Sequence, residues 1–250
     1  MHVHIGITTS YVDGEQRLDA SYVKAIERAG GLPFIVPIMQ DDASTRAFSS
    51  LLHGLVIPGG PAITEGMIGD RPDDLSDTDP IRTRSDRRIA ETFLATGRPV
   101  LGICYGMQLL NAMAGGTIYA DIEQQISGAM AHSADRGAKD HDVILTDGSH
   151  LQHILSINHV VVNTRHVQAV AQLGAAYRIA ATAPDGVIEA FENEDDTVIG
   201  VQFHPEHMGV AMQPLFEHLV ARARRYAIPG ACSDRNLSSE GLTNLKKGST

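Results

Sequence analysis

The sequence predicts an α/β fold with a central, mostly parallel sheet covered by helices on both faces. Short apolar runs alternate with amphipathic segments through the first half of the chain. The runs are apolar throughout, which is typical of parallel strands that are buried on both faces and joined by helices. From about residue 118 onward β-like runs dominate, and several of the additional strands are expected to be antiparallel.

The individual elements follow from their residues in chain order. Residues 3–8 are predicted to form a strand, and Asp19 is expected to cap a helix that Gly30 ends. The next elements are a strand at 32–38, a helix at 42–53, a strand at 54–57, a helix at 81–95, a strand at 98–103 and a helix at 107–114. Strands are then predicted near 142–145, 157–163, 177–183, 187–191 and 197–203, before a helix at 211–226. We therefore expect one domain over residues 1–226 and a flexible tail over 227–250.

A long segment over residues 62–80 has no clear periodicity and carries five aspartates. A connection of this length inside a compact domain is usually a functional loop or lid. A solvated acidic surface loop accounts for the composition equally well. The acidic stretch 70–79 also suggests a substrate with a cationic amine portion, such as a polyamine.

Size, charge and composition exclude several classes of protein. The chain has 250 residues, of which 43% are hydrophobic, enough for a compact domain with a sizeable core. A formal net charge of −10 without a long basic run argues against nucleic acid as a partner. No run approaches the roughly 18 apolar residues that cross a bilayer, and no signal peptide is recognised. The two cysteines are not expected to pair, so we predict free thiols and a cytoplasmic location.

The motif Gly102-Ile103-Cys104-Tyr105-Gly106 lies where a strand is predicted to become a helix. This is the pattern of a nucleophile elbow, in which a tight turn lifts the central side chain clear of the sheet. Glycine is needed two positions to either side because side chains there would collide. The N-terminus of the following helix would favour the thiolate over the thiol. An inert cysteine in an ordinary strand–helix turn is the alternative, and the paired glycines favour the nucleophile.

A nucleophilic thiol needs a base and a group that orients the base. Among the 12 histidines His204 is the best placed, because it precedes Pro205 and Glu206 at the end of a predicted strand. Residues i and i+2 of an extended chain point to the same side, so Glu206 can bind one ring nitrogen and leave the other to face the sulfur. Taken alone this His-x-Glu could be a surface edge, but a cysteine elbow elsewhere in the chain supports the catalytic interpretation.

Attack on a carbonyl also requires hydrogen-bond donors for the oxyanion. The amide of Tyr105 directly follows the nucleophile and is one candidate. The turn Pro58-Gly59-Gly60-Pro61, at the end of a neighbouring strand, could supply a second donor, although a plain tight turn would have the same sequence.

These three segments resemble the signatures of class I glutamine amidotransferases. A finer similarity, to the gamma-glutamyl-gamma-aminobutyrate hydrolase-like branch, lies in Gln108-Leu109-Leu110-Asn111, in residues 162–170 and in residues 183–190. The resemblance covers about residues 3–225. It implies a flavodoxin-like class I glutamine amidotransferase fold for the chain.

The resemblance also implies roles for single residues. A catalytic triad is implied for Cys104, His204 and Glu206, and oxyanion donors are implied for the amides of Gly60 and Tyr105. A contact to the γ-glutamyl substrate is implied for Gln108, and Asn163, Thr164 and His166 are implied to lie near that substrate as further binding residues. Two departures bear on the leaving group: Tyr105 stands where this branch often has arginine, and Thr164-Arg165-His166-Val167 replaces a more usual Ser-x-His-His.

The activity that the resemblance implies is hydrolysis of a small-molecule γ-glutamyl amide through a glutamyl thioester on Cys104. The implied reaction has two steps, formation of the thioester and its hydrolysis by water. Neither needs a metal or a nucleotide, so no cofactor is predicted. The expected partner is the small-molecule substrate, neither nucleic acid nor a membrane, and a homodimer is left open. The alternatives are a glutaminase subunit that delivers ammonia to a separate synthase, a catalytically silent regulatory module, and a peptidase of γ-glutamyl chains.

The remaining histidines do not predict a metal site. His150 and His153 could share a helical face, and His132, His141, His159 and His166 are spread along the chain. No carboxylate or cysteine accompanies any of them at the spacing of metal ligands.

Overall fold

The structure is a computed structural model that describes residues 2–227, so the predicted tail from residue 228 and Cys232 lie outside the described residues. Its strands are β1 (His4–Ile7), β2 (Ser10–Val12), β3 (Glu15–Arg17), β4 (Leu32–Ile35), β5 (Gly54–Ile57), β6 (Met67–Ile68), β7 (Val100–Ile103), β8 (Thr117–Tyr119), β9 (His141–Leu145), β10 (His159–Val162), β11 (Ala169–Gln172), β12 (Arg178–Thr182), β13 (Ile188–Glu192) and β14 (Val198–Val201). Its helices are α1 (Ala20–Arg28), α2 (Asp42–Ser49), α3 (Pro80–Thr96), α4 (Tyr105–Met113), α5 (Ile122–Gln125), α6 (His150–Leu155) and α7 (Gln213–Arg224).

One sheet organises the described chain. Its first half is parallel, in the order β4-β1-β5-β7-β14. From β14 the sheet continues through β13, β12, β9 and β10, whose pairings are antiparallel. This arrangement confirms the predicted fold class, including the added antiparallel strands. Because β5, β7 and β14 are adjacent and parallel, their carboxyl ends meet at one edge, where the three predicted motifs also meet.

Most of the predicted boundaries hold within a few residues, and the caps give the reason. Asp19, Asp41 and Asp79 each accept a hydrogen bond from a backbone N–H of the first turn of α1, α2 and α3. Gly97 ends α3 in the left-handed conformation, with φ of 64°. The helix α2 stops at Ser49, earlier than predicted. The hairpin β2–β3 and the short helices α5 and α6 were not predicted.

Buried side chains pack on both faces of the sheet. Successive strand residues alternate between two clusters, so that Val56 and Leu101 lie in one cluster and Leu55 and Val100 in the other. The first cluster includes residues of α1 and α7, and the second includes residues of α3 and α4. Two-sided burial explains why these strands are apolar throughout. No helix within residues 2–227 is both long and apolar enough to cross a membrane.

The acidic segment is anchored at its base and partly neutralised. Ala62 N–H donates to the Ser76 carbonyl, and Thr78 N–H donates to the Ala62 carbonyl, so the segment closes on itself. Two of the five aspartates are paired with arginines, Asp74 with Arg136 and Asp77 with Arg71. A third, Asp79, caps α3. The segment is therefore not a run of free carboxylates.

Candidate active site

Cys104 occupies the turn between β7 and α4 with φ of 50° and ψ of −106°, a conformation that side-chain-bearing residues rarely adopt. A Cβ on Gly102 would lie 2.7 Å from the backbone of Gly106, and a Cβ on Gly106 would lie 2.1 Å from the carbonyl oxygen of Ile57. Both glycines are therefore required for the turn to close. The Cys104 N–H donates to the Val201 carbonyl at 2.8 Å, which ties the elbow to β14.

This strained turn gives a prediction about stability. Cys104→Gly should be more stable than Cys104→Ala by roughly 1 kcal/mol, because glycine adopts a positive φ freely while alanine retains the strain. Thermal or urea unfolding of the two variants measures the difference. Equal stabilities, or a more stable alanine variant, would contradict the inferred strain.

His204 lies just beyond the end of β14 and is oriented by Glu206. Its Nδ1 lies 2.7 Å from Glu206 Oε1, and because a carboxylate only accepts, Nδ1 carries a proton. Burial favours the neutral ring, but hydrogen bonds and charge interactions with Cys104 and Glu206 raise the pKa of His204 to about 10. The ring is therefore protonated at neutral pH, and it interacts with the sulfur of Cys104 through its second nitrogen. The structure thus brings the three predicted triad residues together.

Asn163 fixes the backbone of His204 on both sides of the residue. Its Oδ1 accepts from the His204 N–H at 2.9 Å, and its Nδ2 donates to the His204 carbonyl at 2.8 Å. Both polar atoms of the side chain are engaged in this way. The geometry therefore gives Asn163 a role in positioning His204, and its place near the substrate stays a prediction.

Tyr22 is a residue of this site that the sequence did not reveal, since it repeats at the spacing of a core residue of α1. Its hydroxyl accepts from the Gly59 N–H at 3.1 Å, and it also interacts with the carboxylate of Glu206. Burial, together with that negative charge, raises the pKa of Tyr22 above its usual range. A Cβ on Gly59 would lie 2.6 Å from Cε1 of His204, so this glycine lets the turn pack against the imidazole.

The two predicted oxyanion donors are the backbone amides of Tyr105 and Gly60. The Tyr105 N–H is at the first position of α4, where amides have no partner within the helix. In the turn before the acidic segment, the N–H of Gly59 donates to the Tyr22 hydroxyl, and Gly60 lines the same cavity as Cys104. The role of the Tyr105 and Gly60 amides as oxyanion donors stays a prediction.

Arg82 supports the glycine turn from below and was also missed. It is 1% exposed, and its Nη2 donates to the carbonyls of Pro58 and Gly59 at 3.0 and 3.1 Å. Its charge is balanced by Asp86 at 3.1 Å. A Cβ on Gly60 would lie 2.1 Å from Nη1 of Arg82, so only glycine fits there. A buried arginine on α3 could not be inferred, because helical periodicity marks buried positions only by their apolar residues.

A cavity of about 110 Å³ opens in front of the sulfur. Its wall is formed by the elbow, the glycine turn, the acidic segment and two later loops, and it includes Gly60, Pro61, Ala62, Asp74, Leu75, Cys104, Gln108, Ser133, Asp135, Arg165, His166, Val167 and Gln168. Cys104, 6% exposed, therefore faces a cleft and is not sealed in the core.

Of the remaining predicted substrate residues, Gln108 and His166 line the cavity and Thr164 does not. Gln108 lines the cavity, and its Nε2 donates to the Gln168 carbonyl and to Gln202 Oε1. His166 also lines the cavity. Thr164 is buried, and its hydroxyl donates to the carbonyl of His132. The hydroxyl of Thr164 thus supports the loop behind the cavity wall.

Two groups of side chains among the described residues could hold a metal ion. One consists of His204, Glu206 and His207, which belongs to the site just described. The other consists of His132, His141 and Glu189 and lies behind the cavity wall, next to His166.

The model of one protein family, Peptidase C26, matches residues 5–206. This chain belongs to that family. It is 28% identical over 201 residues to gamma-glutamyl-gamma-aminobutyrate hydrolase PuuD of Escherichia coli, covering 76% of this chain and 79% of PuuD. It is 30% identical over 190 residues to the glutamine amidotransferase-like protein YvdE of Lactococcus lactis, covering 74% of this chain and 79% of YvdE. The resemblance found in the sequence is confirmed.

A solved structure shares the fold at low sequence identity. It is a Thermoplasma acidophilum protein described as a subunit of GMP synthase, with a TM-score of 0.64 and 17% identity over 91% of this chain and 96% of that one. Family and fold together make this peptidase C26 member a class I glutamine amidotransferase-like hydrolase.

Proposed function

We propose that this protein hydrolyses the γ-glutamyl amide bond of a small γ-glutamyl amine, releasing glutamate and the amine. The observation that carries the proposal is the placement of Cys104 at a strained elbow, facing an open cavity and interacting with a His204 that Glu206 orients. Nucleophile, base and orienting carboxylate in this order are what covalent acyl transfer needs.

In the first step the Cys104 sulfur attacks the γ-carbonyl carbon and forms a C–S bond. Negative charge moves to the carbonyl oxygen, where the amides of Gly60 and Tyr105 would bind it. When the tetrahedral intermediate collapses the C–N bond breaks, and the protonated His204 gives its proton to the departing amine. The products are the free amine and a glutamyl thioester.

In the second step His204, now neutral, takes a proton from a water molecule. The resulting hydroxide attacks the thioester carbon, the C–S bond breaks, and glutamate leaves. His204 keeps the proton, so the thiolate and the imidazolium are regenerated together. The bond of His204 to Glu206 holds the ring in one orientation through both steps.

Gln108 supports recognition of the glutamyl portion. Its amide nitrogen is held by Gln168 and Gln202, which fixes the rotamer and directs the side chain along the cavity wall. The side-chain oxygen is then available to accept from the α-ammonium of a glutamyl group. Recognition by an oriented dipole explains how an uncharged residue could select the glutamyl end.

One charge at the cavity mouth, that of Arg165, supports an amine that carries a carboxylate. Arg165 is exposed on the cavity wall and takes part in no ion pair found within residues 2–227. Asp74 lies on the same wall, but Arg136 binds both of its oxygens. Asp135 is also exposed on this wall and takes part in no ion pair in the described part of the chain, so the preference for γ-aminobutyrate over a polyamine depends on Arg165 and on the similarity to gamma-glutamyl-gamma-aminobutyrate hydrolase.

The proposal is tested by measuring glutamate release from the purified chain with glutamine, γ-glutamyl-γ-aminobutyrate, γ-glutamylputrescine and γ-glutamylmethylamide. We expect unaided turnover that is fastest for γ-glutamyl-γ-aminobutyrate. Arg165→Gln should raise KM for that substrate about tenfold and leave γ-glutamylmethylamide unchanged, because only the former has a carboxylate in its amine portion, in addition to the glutamyl carboxylate that both share. Lys139→Gln, which removes another exposed cation, serves as the control.

Three outcomes of this experiment would redirect the assignment. Activity on glutamine that appears only with a second protein would indicate an ammonia-delivering subunit, which the names of several relatives favour. A poly-γ-glutamyl chain is added to the panel as a fifth substrate, and release of glutamate from it alone would indicate a peptidase. An equal effect of Arg165→Gln on all substrates would reject the carboxylate contact. A cytoplasmic location stays a prediction, and the homodimer stays open.

A further inference from the structure

Behind the cavity wall lie one carboxylate and two imidazoles that the proposed chemistry does not use, and a third imidazole, that of His166, joins them from the wall itself. Glu189 of β13 is 0% exposed, and His132 and His166 are 1% and 4% exposed. His141, the first residue of β9, completes the cluster with a side chain that is 9% exposed. Four segments that are distant in the chain therefore converge on one buried point.

All three imidazoles direct a nitrogen at the same oxygen. Nδ1 of His132, Nε2 of His141 and Nε2 of His166 lie 3.4, 3.3 and 3.5 Å from Oε1 of Glu189. These separations exceed the roughly 2.7–2.9 Å of a charge-assisted hydrogen bond. Nδ1 of His132 and Nε2 of His166 are buried without any hydrogen-bond partner. Of the three nitrogens, Nε2 of His141 forms a hydrogen bond with the oxygen, so hydrogen bonding does not account for the placement of the other two imidazoles.

The far nitrogens of two rings decide where the protons are. Nε2 of His132 lies 2.9 Å from Oδ2 of Asp185, and Nδ1 of His166 lies 3.1 Å from the carbonyl of Gln168. Both of these oxygens only accept, so the far nitrogens carry the protons. In a neutral ring the near nitrogen then presents a lone pair to a carboxylate oxygen. Two lone pairs facing one oxygen repel each other unless a cation lies between them.

The separations match those between the ligands of a metal ion. Zinc bonds to imidazole and carboxylate are about 2.0–2.2 Å long, so neighbouring ligand atoms of a tetrahedral site are about 3.3–3.5 Å apart. Ligating histidines characteristically donate their other N–H to a carboxylate or a backbone carbonyl, as His132 does here. His132, His141 and Glu189 offer ligand atoms that all lie within 4.8 Å of one another.

We propose that His132, His141 and Glu189 bind a divalent transition-metal ion, for which Zn²⁺ is the best fit. The set of imidazoles and one carboxylate suits zinc. The ion would tie β9 and β13 to the loop that carries Ser133 of the cavity wall. It would act as a structural ion that holds this wall, outside the bond-making steps at Cys104.

The metal content of the purified full-length chain tests the proposal, measured by mass spectrometry after expression with added Zn²⁺. We expect about one ion per chain in the wild type, as in a structural zinc site. Stripping with a chelator should lower Tm, and added Zn²⁺ should restore it. Replacement by Co²⁺ should give the visible absorption of a tetrahedral site. These measurements need no variant to fold.

Variants then locate the ion. His141→Ala and Glu189→Gln should lose it, whereas His159→Ala, which removes an exposed histidine, should retain it. Cys104→Ala and His207→Ala should also retain it, which separates this cluster from the group at His204 and from the proposed catalysis. The proposal would be overturned if the wild-type chain contained no metal and its Tm changed with neither chelator nor Zn²⁺. A network of protonated histidines would then account for the cluster. A metal ion that is absent from His207→Ala but still bound by His141→Ala would also overturn the proposal.

Discussion

Replacing Cys104 by alanine is expected to reduce kcat for γ-glutamyl amide hydrolysis by about 10⁴-fold or more, because loss of a nucleophile removes the covalent route entirely. The fold should survive, since the bond from this residue to Val201 is made by the backbone and alanine occupies less space in an open cleft. Initial-rate measurements together with a thermal melt separate the loss of activity from a loss of structure.

The chain contains a matched control in its other cysteine. Cys232→Ala should retain full activity, and alkylation by a γ-glutamyl chloroketone should label Cys104 in the wild type and nothing in Cys104→Ala. A thioester adduct of glutamate should be seen by intact-mass spectrometry only where Cys104 is present. Near-normal hydrolysis by Cys104→Ala, or equal labelling of both cysteines, would show that the thiol is not the nucleophile.

Much of the fold could be predicted from the sequence because its parallel strands are buried on both faces. The runs at β5 and β7 are apolar throughout, and aspartates at the helix starts give the caps. Patterns of this kind involve only residues that are close together in the chain, so they can be recognised in the sequence. The hairpin β2–β3 was missed because its strands have three residues each and are mostly exposed, so they have no core-facing alternation.

The residues of the candidate site also divide into those with a local sequence signal and those without one. Cys104, His204 and Glu206 could be found because a tight elbow and an extended His-x-Glu impose local sequence requirements. Tyr22 and Arg82 could not, since each acts across the sheet on a turn distant in the chain and resembles an ordinary helix residue. The same holds for Glu189, which lies 48 positions from His141, so that no local spacing reveals the cluster.

Glu206→Gln is expected to lower kcat by about 10²- to 10⁴-fold while the fold is retained. The amide keeps nearly the same shape, but it can present its NH₂ group to His204 and so stabilise the wrong tautomer, as loss of the orienting carboxylate does in other triads. The substitution also removes a negative charge at 2.7 Å from the ring. Glu206→Asp keeps the charge on a shorter side chain and should retain more activity than the glutamine variant.

The pH profile separates an electrostatic role of Glu206 from a purely structural one. Burial lowers the pKa of His204, whereas Cys104 and Glu206 raise it from its ordinary value of 6.5 to about 10. Removing the charge of Glu206 must therefore lower that pKa. Because the leaving amine needs a proton from His204, the alkaline limb of kcat/KM should move to lower pH in Glu206→Gln. NMR titration of the His204 ring should show the same direction, and an unmoved limb with a large loss of kcat would mean that Glu206 only supports the ring sterically.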